Sequence, residues 1–124
     1  MAQPQILRLA EAGQLEIVVT RQVITEAERN VRRKLPGGLS SFQQALVPLL
    51  RLLPDPPPEA VRVCEKMIAS ADAPILAAAM VAQVDYLVTL DRKHFLDDPG
   101  AAEKSGLCIG TPGDFLAWLR NHMR

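Results

Sequence analysis

Apolar positions along the chain fall into two rhythms, one of helical and one of strand period. Ile6, Leu7, Leu9 and Ala10 form a helical stripe that stops at Gly13, a residue suited to a left-handed cap. Residues 15–20 (LEIVVT) are a β-branched run of strand length, and Thr20 stands where the next helix needs its N-cap. From Arg21, the positions Val23, Ile24, Ala27 and Val31 keep helical spacing until Pro36-Gly37-Gly38 ends the run. Ser40 with Gln43, or Ser41 with Gln44, offers a capping box ahead of Phe42, Leu46, Leu49, Leu50 and Leu53. A third helix is therefore predicted, kinked or displaced by Pro48, which lacks a backbone donor.

Pro54 and the Pro56-Pro57-Pro58 run form a stiff, extended link. Helices are predicted over residues 59–68 and 72–83, the second presenting Ile75, Leu76, Ala79 and Met80 on one face. Residues 85–90 (DYLVTL) are nearly continuously apolar from Tyr86 to Val88, as in a central strand covered on both faces. Residues 107–110 (LCIG) read as a short strand. Thr111-Pro112-Gly113-Asp114 then supplies an N-cap, an N1 proline and an acidic N3 for a terminal helix. Alternating strands and helices predict an α/β fold, a three-layer sandwich around a small, mostly parallel sheet.

A length of 124 residues suits one domain over 1–124, and 48% hydrophobic with 23% charged residues is a globular balance. Fourteen basic residues offset fourteen acidic ones, so no global field attracts nucleic acid and any such contact must be local. The opening MAQPQILRLAEA lacks a basic start followed by an apolar run, and no stretch reaches the about 18 apolar residues of a membrane span. The expectation is a cytoplasmic protein without membrane contact. Cys64 and Cys108 lie in apolar surroundings without CxxC spacing, which favours buried thiols over a disulfide or a zinc site.

In a parallel sheet, ligands bind beyond the carboxyl ends of the strands, which singles out Asp91, directly after the second strand, and Thr89 two residues earlier. A turn or cap aspartate is the plain reading of Asp91. Asp72 opens an alanine-rich helix, where it either caps free N–H groups, the safer reading on position alone, or faces a cation. Glu26 borders the buried stripe of the helix after the first strand, where a solvated glutamate is the default. If the three acids converge, their mutual repulsion calls for a divalent cation, and an all-oxygen donor set favours Mg²⁺ or Mn²⁺ over zinc. Arg29, Arg32, Arg33 and Lys34 form a basic patch at a helix end, suited to RNA or, more simply, to the helix dipole. Arg92, Lys93 and His94 could touch a phosphate or be solvated loop residues. His122 reads as a surface or cap residue, Asp85, Asp97 and Asp98 as strand-end and turn residues, and Asp114 as a cap.

The segment DAPILAAAMVAQVDYLVTLDRKHFL, residues 72–96, resembles the signature segment of PIN domains. IGTPGDFLAWL is similar to that family's last strand and helix, and LAEAGQLEIVVTRQVITEAERNVRRKL more loosely to its first helix, second strand and following helix. The resemblance implies metal-dependent endonucleolytic cleavage of RNA, with Glu26, Asp72 and Asp91 holding Mg²⁺ or Mn²⁺ and Thr89 beside Asp91. It also implies RNA contacts from Arg29, Arg32, Arg33, Lys34, Arg92 and Lys93, a toxin–antitoxin role with an antitoxin partner, and a homodimer, for which the apolar run 46–53 is a candidate surface with core packing as its plainer reading. One departure stands out. Residues 1–5 (MAQPQ) are too short and polar for the family's first strand, which ends in an aspartate, so that strand is missing or replaced. The neighbouring strands would then expose unpaired edges to be closed by direct pairing, another chain or further residues, through a late start site or degeneration. The alternative function is a catalytically impaired PIN-fold module that binds RNA or a partner.

Overall fold

The computed structural model describes residues 2–89, 95 and 100–122, with side chains from Gln5 onward. The chain forms two compact units, Leu7–Asp55 and Met1–Ile6 with Pro56–Arg124.

The first helix, α1 (Ala2–Glu11), stops at Gly13, whose φ of 77° is the expected left-handed exit. In the Leu7–Asp55 unit, strand β1 (Ile17–Val19) runs into α2 (Arg21–Lys34). Thr20 caps α2 as the sequence requires, its hydroxyl accepting the Val23 N–H at 3.1 Å. The next segment departs from expectation. Neither serine forms a capping box, and a short helical turn, α3 (Leu39–Ser41), widens into a π-helical run, Phe42–Leu46, then tightens to a 3₁₀ turn, Val47–Leu49. Leu50–Leu52 then extends as strand β2, parallel to β1 with Ile17 opposite Leu50 and Val19 opposite Leu52. Prolines 48 and 54 leave five residues between them, too few for a helix. The Leu53 N–H donates to the Val19 carbonyl at 2.8 Å, so this apolar run completes a ladder rather than forming a helical face. Arg51 and Glu16 pair across the strands at 2.7 Å, both largely exposed and so contributing little to stability.

In the other unit, α4 (Pro58–Cys64) packs against α5 (Ala73–Ala82). Helix α5 buries Ala73, Leu76, Ala77, Ala78 and Ala79, more than one face, as an apolar helix enclosed by its neighbours must. Leu76 is fully enclosed among Cys64, Ala73, Ala77, Phe95 and Ala101, with Met67, Ile68, Leu87 and Ile109 packed around them. Gln83 ends α5 in the left-handed region (φ 55°), and the Val84 N–H reaches back to the Ala79 carbonyl at 3.2 Å. The chain then enters β3 (Leu87–Val88), parallel to β4 (Ile109–Gly110). Among the described residues β3 pairs with β4 alone, so the expected central position is not seen. Helix α6 (Gly100–Ser105), which the apolar pattern did not announce, precedes β4. Cys64 is buried as expected, but Cys108 is exposed, because the short strand leaves its side chain outside the core.

Helix α7 (Pro112–His122) begins with the expected reciprocal box: Asp114 Oδ2 accepts the Thr111 N–H at 3.0 Å, and Thr111 Oγ1 accepts the Asp114 N–H at 3.1 Å. Tyr86 packs edge-on against Phe115 and beside Trp118, with centroids 5.3 and 5.4 Å apart. Its hydroxyl lies against Gly110, where an added Cβ would meet Tyr86 Oη and approach Asp114 Cβ to 2.8 Å. The Gly110→Ala variant is expected to lose about 2 kcal/mol in a denaturant titration, because β4 and the capped helix start cannot both move aside.

Burial, followed by the charges of Asp114 and Cys108, raises the Tyr86 phenol above its ordinary value of 10.0. As this is the chain's single tyrosine, ultraviolet titration reads it directly, and the folded protein should ionise later than the denatured one. The sign follows from linkage: the stabilisation is complete below the unfolded pKa, near 10, and is lost as pH rises through the higher folded value.

Candidate functional site

Glu26 lies on α2, exposed, with the Gln22 amide 3.4 Å from its Oε1, as the solvated reading expected. It belongs to the Leu7–Asp55 unit, whereas Asp72 and Thr89 belong to the other. Asp72 occupies the N-cap position of α5 but makes no side-chain capping bond, which overturns the plainer reading of this residue. Pro74 follows at the helix start and lacks a donor, so one of the N–H groups a cap would bind is missing. The residue is half-buried and its Oδ2 is shut off from solvent.

Thr89 follows β3 directly, its N–H donating to the Gly110 carbonyl at 2.9 Å. The next donor on the partner strand would be residue 112, a proline, so the ladder stops there. This places Thr89 at the carboxyl end of the parallel pair, where open α/β sheets bind ligands. Asp91, Arg92 and Lys93, with His94, Asp97 and Asp98, lie outside the described residues. Among the described residues no group of three or more His, Cys, Asp or Glu is placed to hold a metal ion. Asp72 and Glu26 nevertheless supply only oxygen donors, the chemistry that suits a hard divalent cation.

The basic patch occupies the last turns of α2. Arg32 Nη2 is 3.0 Å from Glu28 Oε1, and Arg33 Nη2 is 3.2 Å from Asn30 Oδ1. Lys34 is exposed at the helix end, where with Arg32 and Arg33 it complements the dipole. Arg29 is exposed and among the described residues has no ion-pair partner. Glu28, which sequence reasoning passed over, was legible in its spacing of four residues before Arg32. Ile24, Thr25, Glu28, Arg29 and Arg32 share one face of α2 and line a shallow, open depression on it.

No curated protein and no solved structure matches the chain. A PIN-domain family model matches residues 2–93, a span that includes Glu26, Asp72, Thr89 and Asp91 together with both basic segments. That match covers well over half of the 124 residues, and with the parallel strand pairs and helix-rich build it establishes that the chain belongs to the PIN-domain family.

Proposed function

We propose that this PIN domain is a Mg²⁺- or Mn²⁺-dependent endoribonuclease in which Asp72, Asp91 and Glu26 hold the cation and Thr89 orders the site beside Asp91. PIN domains are in general nuclease-type folds that bind RNA and depend on divalent metals. The observation that carries the reading is the family match, which spans all four of these positions. Asp72 supports it, because its carboxylate does not cap the helix it opens and one of its oxygens is enclosed.

The cation would polarise the scissile phosphate and lower the pKa of an attacking water. The chain's own part is to fix carboxylate oxygens at helix and strand ends and to hold RNA. Enclosing Asp72 Oδ2 lowers the local dielectric and strengthens attraction to a cation. Thr89, held by its bond to Gly110, offers a hydroxyl at the strand end to orient a neighbouring carboxylate. Arg29, Arg32, Arg33, Lys34, Arg92 and Lys93 are the proposed RNA contacts, local ones as the zero net charge demands.

The resemblance carries the reading further, to the toxin of a toxin–antitoxin pair, homodimeric and cytoplasmic. No helix among the described residues is long and apolar enough to cross a membrane. The test is cleavage of a single-stranded RNA by the purified chain, with Mg²⁺ or Mn²⁺ and with a chelator. Cleavage that depends on the metal supports the reading; RNA binding without cleavage would point instead to the impaired module.

A further inference from the structure

We infer that Asp114, at the start of α7, is a positioning residue for the strand-end site: through a single peptide plane it fixes Thr89. The inference rests on the reading of Thr89 given above and assigns that residue's support to a part of the chain beyond the family match, which ends at residue 93. Two bonds meet at the Gly110–Thr111 peptide. Its carbonyl accepts the Thr89 N–H at 2.9 Å, and its N–H donates to Asp114 Oδ2 at 3.0 Å. Thr111 Oγ1 closes the box by accepting the Asp114 N–H at 3.1 Å. A trans peptide is planar and rigid, so its N–H and C=O, which point in opposite directions, turn only together. Holding the N–H therefore aims the carbonyl at Thr89.

Two further features make this plane a relay as well as a helix cap. A carboxylate is a charged acceptor, which strengthens the bond from Thr111 and, by polarising the peptide, the bond that Thr89 makes to the carbonyl beyond it. Gly110 is also crowded: Tyr86 Oη and Asp114 Cβ occupy the space where a side chain on it would lie. Tyr86 is itself held by Phe115 and Trp118 of α7, with centroids 5.3 and 5.4 Å away. The start of α7 thus grips Gly110 from two sides. Leu87, one bond back along β3, donates instead to the Cys108 carbonyl at 2.8 Å, independently of the box. Thr89 makes the last bond of the ladder and stands two residues before Asp91, so slack at Gly110 would pass to the proposed cation site.

The test is amide hydrogen exchange, read by NMR on the whole chain, with Asp114→Ala and Asp114→Asn variants. Loss of the box in Asp114→Ala should speed exchange at Thr89 about tenfold and leave Leu87 within about twofold. In Asp114→Asn the amide oxygen accepts the same bond and should restore most of the protection at Thr89. Circular dichroism checks that each variant keeps its helices. Equal acceleration at both amides would make Asp114 a general helix cap, and no change at Thr89 would break the relay; either result overturns the inference. Metal-dependent RNA cleavage is measured beside it. Asp114→Ala should lower kcat about tenfold with KM unchanged, and Asp114→Asn should recover most of the loss. Undiminished cleavage by Asp114→Ala overturns the positioning role, whereas the expected exchange pattern in a chain that cleaves no RNA sinks the enzyme reading alone.

Discussion

Replacing Leu76 by alanine is expected to lower the free energy of unfolding by about 3 kcal/mol, read from the shift of the denaturant midpoint. Leu76 has no exposed surface and is ringed by Cys64, Ala73, Ala77, Phe95 and Ala101. Three of those neighbours are alanines, which have no longer side chain to swing into the space, so most of the cavity would persist. Val81 on the same helix is 57% exposed, and its replacement by alanine should cost less than about 0.5 kcal/mol. Equal effects at the two positions would mean that α5 is not the centre of its unit.

Asp72→Asn is expected to reduce metal-dependent RNA cleavage by at least about 100-fold, while leaving stability within about 1 kcal/mol of the unmodified chain. The two readouts separate because of local geometry. An aspartate that capped α5 would be replaced almost without cost by asparagine, and Asp72 makes no capping bond in any case. A large loss of stability with retained cleavage would make Asp72 a structural residue. Loss of cleavage alone places its carboxylate in the reaction.

Local chemistry made several elements legible in the sequence. LEIVVT, which ends in Thr20, gave the strand, the cap and the start of α2, because a hydroxyl closing a β-branched run is well placed to accept the helix's free N–H groups. Thr111-Pro112-Gly113-Asp114 gave the start of α7 for the same reason: the bonds that stabilise it lie within four residues. Residues 46–53 misled because Leu46, Leu49, Leu50 and Leu53 fit helical spacing, while only Leu50-Arg51-Leu52 alternates as a strand does. Pairing with β1, a long-range contact that no local pattern records, decides between them, and the flanking prolines were the available signal. Helix α6 was missed since GAAEKS carries a single buried residue, Ala101, too few for a period to show.

The candidate site was legible mainly through family likeness. Position alone made Asp72 a cap, and only the structure showed that the cap bond is not made. Glu26 remains an exposed glutamate by its own geometry, and its role in metal binding rests on the family reading. Arg29 and Arg32 looked alike in the sequence; the Glu28 pairing distinguishes them.

If Glu26, Asp72 and Asp91 share one divalent cation, as proposed above, calorimetric titration of Mn²⁺ or Mg²⁺ into the chain will register it. Asp72→Asn and Asp91→Asn variants run beside it. One saturable binding event that each substitution abolishes is the expected result. No binding by the unmodified chain, or binding that survives both substitutions, would contradict it.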